Sequence, residues 1–303
     1  MKKLVSVRTA VWMLLLTAGA GLILYPYAAD WFVTRAQAGE VARHTQAVNS
    51  LSDEAAEAML EAAHDYNRRV FKGMAGRTDE MNEEYQGLLR PDPSEIMGQV
   101  TMPTIGQSVP IWHGTSDWVL YRGAGHQYGT SLPVGGPDTH SVITAHSGLV
   151  TARLFTELER LTYGDLFMVS AGGQTLFYEV DHIVIVLPGE YQEYLEIIEG
   201  RDLVTLFTCT PTGVNTHRLL VRGTRVSAPE ELDLDTYEVT LEAGFPYWAG
   251  IIIAVLIGGN SSGRLMFRPT APPSQTPTSR TPAAQALSYT TITKKERPQG
   301  RLP

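Results

Sequence analysis

The chain of 303 residues holds one cysteine, Cys209, beside eight histidines. A lone thiol has no partner for an intramolecular disulfide, so it is either a small buried hydrophobe or a working group. Cys209 closes an apolar β-like run, Asp202-Leu203-Val204-Thr205-Leu206-Phe207-Thr208-Cys209, just before Thr210-Pro211-Thr212-Gly213. A strand end feeding a turn lets a side chain leave the core while the sheet still fixes it. An inert cysteine continuing the strand fits the same position. Nine residues on, Arg218 begins the next run, His217-Arg218-Leu219-Leu220-Val221-Arg222, and a tight β-turn-β connection would set it beside the thiol. Taken alone, such an arginine is a solvated edge-strand charge. His146 ends a third run, Ser141-Val142-Ile143-Thr144-Ala145-His146, ahead of Ser147-Gly148. His113, His126, His140 and His217 also stand in loop-like contexts, and composition does not choose among them.

The chemistry open to a cysteine, a histidine and an arginine is acyl transfer. Attack on a peptide carbonyl requires the thiolate. With ordinary pKa values near 8.5 for Cys and 6.5 for His, a thiolate–imidazolium pair would be about 1% of molecules near neutral pH. That imidazolium would already hold the proton a leaving amine needs. A fork-shaped, permanently charged guanidinium suits the oxyanion that develops on the carbonyl, or a substrate backbone to be held in register.

These residues lie in a β-rich stretch from about Glu95 to Ser227. The pattern predicts strands over Met97–Met102, Val109–Trp112, Ser141–Ala145, Leu166–Ser170, Thr175–Ile185, Leu203–Thr208 and Arg218–Val226. Thr151–Leu161 reads as a short helix, with Leu154, Phe155, Leu158 and Leu161 on one face. Many short strands with few helices predict a mainly β, closed or nearly closed barrel. Upstream, residues 38–90 read as helical, with Ser50 and Asp53 as a capping pattern and Ala55, Met59, Ala62, Tyr66 and Val70 spaced to pack on a globular body. Gly73 and Gly76 break that pattern, and Pro91-Asp92-Pro93 marks a loop.

Two apolar segments frame the whole. Val11 to about Ala29 is long enough to cross a bilayer, and Lys2, Lys3 and Arg8 before it place the N-terminus in the cytoplasm. Ala36-Gln37-Ala38 resembles a signal-peptide cleavage site, but Asp30 and Arg35 intervene and the gap is long, so an uncleaved anchor is the favoured reading. Ala243–Gly259 is at the lower length limit for a second span, with a buried helix as the other reading. With both spans, both termini are cytoplasmic and the part between lies outside the cell. The expected divisions are residues 1–30 (terminus and anchor), 31–94 (helical segment and possible lid loop), 95–230 (catalytic barrel), 231–242 (linker), 243–260 (second span) and 261–303, a Pro-, Thr-, Ser- and Gln-rich tail expected to be disordered. The net charge of −8 and the lack of a long basic run exclude a nucleic-acid partner. No carboxylate or histidine cluster has metal-ligand spacing, so no cofactor is expected.

The order of motifs supplies what spacing alone does not. Thr205-Leu206-Phe207-Thr208-Cys209 resembles the TLxTC signature of sortases, with Arg218 where that family has its arginine. His146-Ser147-Gly148-Leu149 resembles the segment carrying the sortase histidine. The strings HGTS (His113–Ser116), GTSLPVGG (Gly129–Gly136), THSV (Thr139–Val142) and GVNTHRLLVRG (Gly213–Gly223) are similar to class C, pilin-polymerising sortases, over about residues 92–227. The resemblance implies an eight-stranded sortase barrel with flanking transmembrane helices, Cys209, His146 and Arg218 as catalytic residues, and Thr208 and Thr144 at the substrate. It also implies cleavage of an LPxTG-like signal after Thr, a thioester on Cys209 and transfer to an amine, here a pilin lysine. Expected partners are LPxTG-bearing pilins or surface proteins, the lipid bilayer and, in a rival reading, a cell-wall precursor amine. A cell-wall cysteine hydrolase is a further rival, though such enzymes place the cysteine upstream of the histidine. A non-catalytic membrane-held module is the third. Three departures stand out. Ala145-His146-Ser147-Gly148 replaces the family's Gly-His-Arg-Gly, Thr212 replaces an aromatic, and Asp92-Pro93-Ser94 fills the lid position where the family has Asp-Pro and an aromatic. Asp92 could still pair with a cation in the cleft; Ser94 cannot plug it as a ring would.

Overall fold

A computed structural model of the chain describes residues 7–74, 82–91, 93–229 and 245–266. Its centre is built from β1 (Gly98–Met102), β2 (Gln107–His113), β3 (Ala124–His126), β4 (Thr139–Thr144), β5 (Leu166–Ala171), β6 (Gln174–Val186), β7 (Asp202–Thr210) and β8 (His217–Val226). These close into a barrel in the order β1-β2-β3-β4-β7-β8-β6-β5. The β2–β3 and β4–β7 pairs are parallel and the others antiparallel, so the barrel is mixed. Closure leaves no free sheet edge, which removes the hazard of open-edge association.

Alternation along each strand fills the interior. Val100, Ile111, Ile143, Phe167, Leu206 and Val221 all belong to one buried cluster, each such side chain contributing roughly 1.5–3 kcal/mol on burial. Seven of the strands coincide with predicted runs; β3 was not foreseen. The expected helix over Thr151–Leu161 is only a single 3-10 turn, Leu158–Arg160. Leu154 has φ +40°, outside the helical region, and its neighbours Ala152, Phe155, Leu158 and Leu161 are spent on the core instead. The periodic apolar spacing there reflects burial, not helix.

Helix α1 (Val7–Asn49) is continuous through Pro26 and joins the apolar N-terminal run to the helical segment beyond it. At 1.5 Å per residue it is about 64 Å long. Its part from Ala10 onward is long and apolar enough to cross a membrane. Helix α2 (Asp53–Phe71) is capped by Ser52, not Ser50, whose hydroxyl accepts from the Ala55 amide. Of the five residues expected to pack, Met59, Tyr66 and Val70 meet the barrel core, whereas Ala55 and Ala62 are exposed and Ala63 takes the buried position. Asn67 clips α2 in place by exchanging two hydrogen bonds with the backbone of Leu132, at 3.1 and 2.7 Å. Helices α3 (Glu83–Gly87) and α4 (Asp117–Arg122) are short. Helix α5 (Tyr247–Met266) lies against α1, with the Trp248 ring 6.1 Å from Trp31 and 5.8 Å from Phe32. It runs six residues past the expected end of the second span. The expected linker 231–242 and all of the tail beyond 266 lie outside the described residues.

Candidate active site

The barrel order puts β4 beside β7 and β7 beside β8, although 57 residues of chain separate the end of β4 from the start of β7. In the antiparallel β7–β8 pair, Cys209 is directly opposite Arg218. Opposed residues share a face of the sheet. In the same ladder Leu206 opposes Val221 and Thr208 opposes Leu219, and Leu206, Leu219 and Val221 all point into the core. Cys209 and Arg218, offset by one, therefore project from the outer face.

On the other side, the parallel register of β4 and β7 aligns Thr144 with Phe207. Two residues further along each strand stand His146 and Cys209. The alignment persists beyond the end of β4, because the Ala145 amide donates to the Phe207 carbonyl at 3.1 Å. The Thr208 hydroxyl donates to the Ala145 carbonyl at 2.7 Å, and the Ser147 hydroxyl to the Cys209 carbonyl at 2.5 Å. Both neighbours of His146 are thus tied to the Cys209 strand. His146, Cys209 and Arg218 thus occupy neighbouring positions at the ends of three adjacent strands.

Each member has a supporting shell. The His146 ring meets Tyr121 of α4 edge-on, at 5.3 Å. Partial burial lowers the His146 pKa, and the charge of Asp117, at the start of α4, opposes that shift. Helix α4 is held by Arg122, whose guanidinium sits 4.2 Å over Trp112 and 4.3 Å over Trp118. The loop after His146 needs Gly148. Its φ is +74°, and a Cβ there would lie 3.0 Å from the Gly213 amide nitrogen of the β7–β8 turn. Arg218 Nη1 donates to the carbonyls of Asn215 and His217, at 3.2 and 3.0 Å, which steadies the guanidinium at the turn. Cys209 is half-buried.

The outer face below these positions is partly covered by the segment between β6 and β7. Tyr191 lies 5.0 Å from the Phe207 ring. His140 pins the segment down: Nδ1–H donates to the Glu196 carbonyl at 2.8 Å, and Nε2 accepts from the Thr205 hydroxyl at 2.7 Å. Burial brings the His140 pKa down to about 4, so the ring is neutral and that tautomer is the one the two partners require.

The other expected site residues are placed differently from one another. The Thr144 hydroxyl is buried and has no hydrogen-bond partner among the described residues, on the outer face beside Phe207. Thr208 is buried on the inner side and its hydroxyl is committed to Ala145, so its expected contact with substrate does not fit this geometry; it ties two strand ends together. In the expected lid, Asp92 lies outside the described residues. Ser94 is buried against α1, its hydroxyl 2.9 Å from His44 Nδ1 and donating to the Ile96 carbonyl at 3.1 Å, rather than standing over the thiol. Asp117, Tyr121 and Ser147 were missed from sequence. The one signal for the first two was the HGTS string, whose Ser116 is the N-cap of α4.

A family model described as the sortase domain matches residues 100–226. Among solved structures, sortase C1 of Streptococcus agalactiae is 40% identical, the alignment covering 64% of this chain and 97% of that one, with a TM-score of 0.58. Streptococcus pneumoniae sortase C is 39% identical over 62% of this chain and 98% of its own, with a TM-score of 0.56. Clostridium perfringens sortase C, solved with its C-terminal cell wall sorting motif, is 38% identical over 62% and 98%, also at 0.56. No curated protein sequence matches. The fold and these relatives define a cysteine transpeptidase: the chain belongs to the sortase family. Within that family it is a class C sortase.

Proposed function

We propose that the chain joins pilin subunits, with Cys209 as nucleophile, His146 as general acid and base, and Arg218 as the oxyanion partner. The observation carrying this reading is that Cys209 and Arg218 are opposed in the β7–β8 ladder while both neighbours of His146, just past β4, are tied to β7. The Cys209 thiolate attacks the threonine carbonyl of an LPxTG-like signal, and the oxyanion that forms is met by the Arg218 fork. Collapse breaks the peptide bond, and His146 gives its proton to the departing glycine amine. The thioester then accepts a lysine amine, whose proton returns to His146 as the thiolate leaves. Keeping water from the thioester favours transfer over hydrolysis. Two solved relatives support the substrate class: one is described with a cell wall sorting motif, another in terms of pilin substrate specificity.

The same reading places the enzyme in the cell membrane with the barrel outside and both termini inside. Trp248, near the start of α5, packs at the level of Trp31 and Phe32, where α1 leaves its apolar run. Ile251 then shares a groove with Leu24 and Tyr27, so the helices run antiparallel. Gln37, within the cleavage-like Ala36-Gln37-Ala38, is buried and donates to the Arg122 carbonyl at 2.9 Å, which favours an uncleaved anchor.

The test is incubation with a pilin bearing a C-terminal sorting signal. A covalent ladder linked through an internal lysine supports the reading. Exclusive transfer to a peptidoglycan-like amine would replace it with wall anchoring, and free acid as sole product would replace it with hydrolysis.

A further inference from the structure

The helix that enters the bilayer is also the splint of the barrel, with no linker between the two roles. Asp30 is the first acidic residue of the chain and follows directly on the apolar run. It therefore marks the outer edge of the hydrocarbon region. Its carboxylate accepts from the Arg153 amide at 3.1 Å and pairs with Arg153 Nε at 3.5 Å. Beyond it the same helix follows the barrel wall. Gln37 bonds the Arg122 carbonyl, Glu40 pairs with the Arg122 side chain at 3.3 Å, and His44 meets Ser94.

Arg153 belongs to the loop that carries the histidine. Two residues on, the Phe155 amide donates to the His146 carbonyl at 3.2 Å. Since two residues of chain reach at most about 7 Å, the His146 carbonyl lies within about 14 Å of the Asp30 carboxylate. The polar layer of a bilayer leaflet is itself roughly 5–8 Å thick. Val150, on this loop, is 61% exposed, and Arg153 keeps 56% of its side chain exposed. Beside Arg153 stand exposed Tyr27, Phe245 and Tyr247 with Trp31 and Trp248, the residue types that settle at membrane interfaces.

We infer that the Leu149–Arg153 loop rests on the phospholipid surface, so that the mouth of the active site is held close above the headgroups on a rigid mount. The occupant of this surface is the bilayer itself, because the loop is continuous through Asp30 with the spanning helix. The inference rests on the membrane-anchored reading above. A scissile bond must then be offered close to the membrane plane, and a substrate held in the same bilayer meets the site without a long search.

The test uses the full chain in phosphatidylcholine–phosphatidylglycerol vesicles, in a Cys209→Ala background. Val150→Cys or Thr175→Cys carries an environment-sensitive fluorophore, the second marking the β5–β6 turn at the far end of the barrel-packed part of α1. Headgroup-spin-labelled lipid should quench emission at 150 and leave 175 unchanged, and Asp30→Ala should weaken the quenching at 150. Equal emission loss at both positions, or none at either, in protein that resists alkaline extraction would overturn the inference while leaving the anchor intact. Protein that alkaline washing removes would overturn the anchor and the inference with it. Emission at 150 that labelled lipid leaves unchanged and an added surface protein shifts would assign the surface to a protein partner instead.

Discussion

The Ser147 hydroxyl donates to the carbonyl of Cys209, at 2.5 Å. It thereby closes the gap between the histidine loop and the nucleophile strand, across a parallel pair whose regular ladder ends at Thr144. Ser147→Ala removes this tie and leaves the Cys209 carbonyl without it. A hydrogen bond of this kind is worth about 1 kcal/mol, so kcat/KM for a sorting peptide should fall roughly five-fold. Steady-state kinetics decide it, and an unchanged rate would leave Ser147 a bystander.

Asp117 should set the acid limb of the pH–rate profile. The reactive form holds His146 protonated and Cys209 deprotonated. Burial lowers the His146 pKa from its ordinary value of 6.5, and Asp117 works against that shift. Asp117→Asn removes the opposing charge, so the pKa falls further. The acid limb then moves to lower pH, and the maximal rate falls because the imidazolium is scarcer. A limb that moves to higher pH would contradict the assignment.

Arg218→Lys keeps the charge but not the fork. A point charge cannot meet both an oxyanion and the carbonyls of Asn215 and His217 in the same geometry. The predicted loss in kcat is about 10²-fold, with KM changed little. Wild-type kinetics would confine Arg218 to a structural role at the turn.

Three histidines should make the fold acid-sensitive. Burial brings His113, His126 and His140 each down to about 4, against 6.5 for the free group. The folded state keeps all three neutral, while the unfolded chain binds protons below 6.5. Stability is then fully present above pH 6.5 and lost as pH falls toward 4. Each group contributes up to roughly 3 kcal/mol across that window. The urea midpoint should fall steeply between pH 6.5 and 4, and a flat profile would show that these rings are not held neutral. His126 shows why: Nε2–H donates to the Ser131 carbonyl, and Nδ1 accepts from the Tyr85 hydroxyl. A second proton would charge a fully buried ring, which burial penalises.

The strands were legible because their apolar residues alternate and Gly, Pro and Asp punctuate them. What local pattern does not encode is the barrel order. Nothing in Ser141–His146 says that its neighbour is Asp202–Cys209, since that pairing is long-range and parallel. Resemblance, not spacing, singled out His146 from the other loop histidines. β3 escaped notice because Ala124–His126 is three residues long and includes a glycine. Thr151–Leu161 misled because a segment packed into the core buries side chains at near-helical intervals without helical backbone. Thr208 misled for the opposite reason: it adjoins Cys209 in sequence, but strand alternation turns it inward.

Mass spectrometry of the protein after brief incubation with an LPxTG peptide tests the central claim, that the Cys209 thiol is the nucleophile. An acyl adduct is expected on Cys209, lost on adding hydroxylamine, absent from Cys209→Ala and weaker in His146→Ala. Turnover of the peptide by Cys209→Ala, or an adduct on another residue, would contradict it.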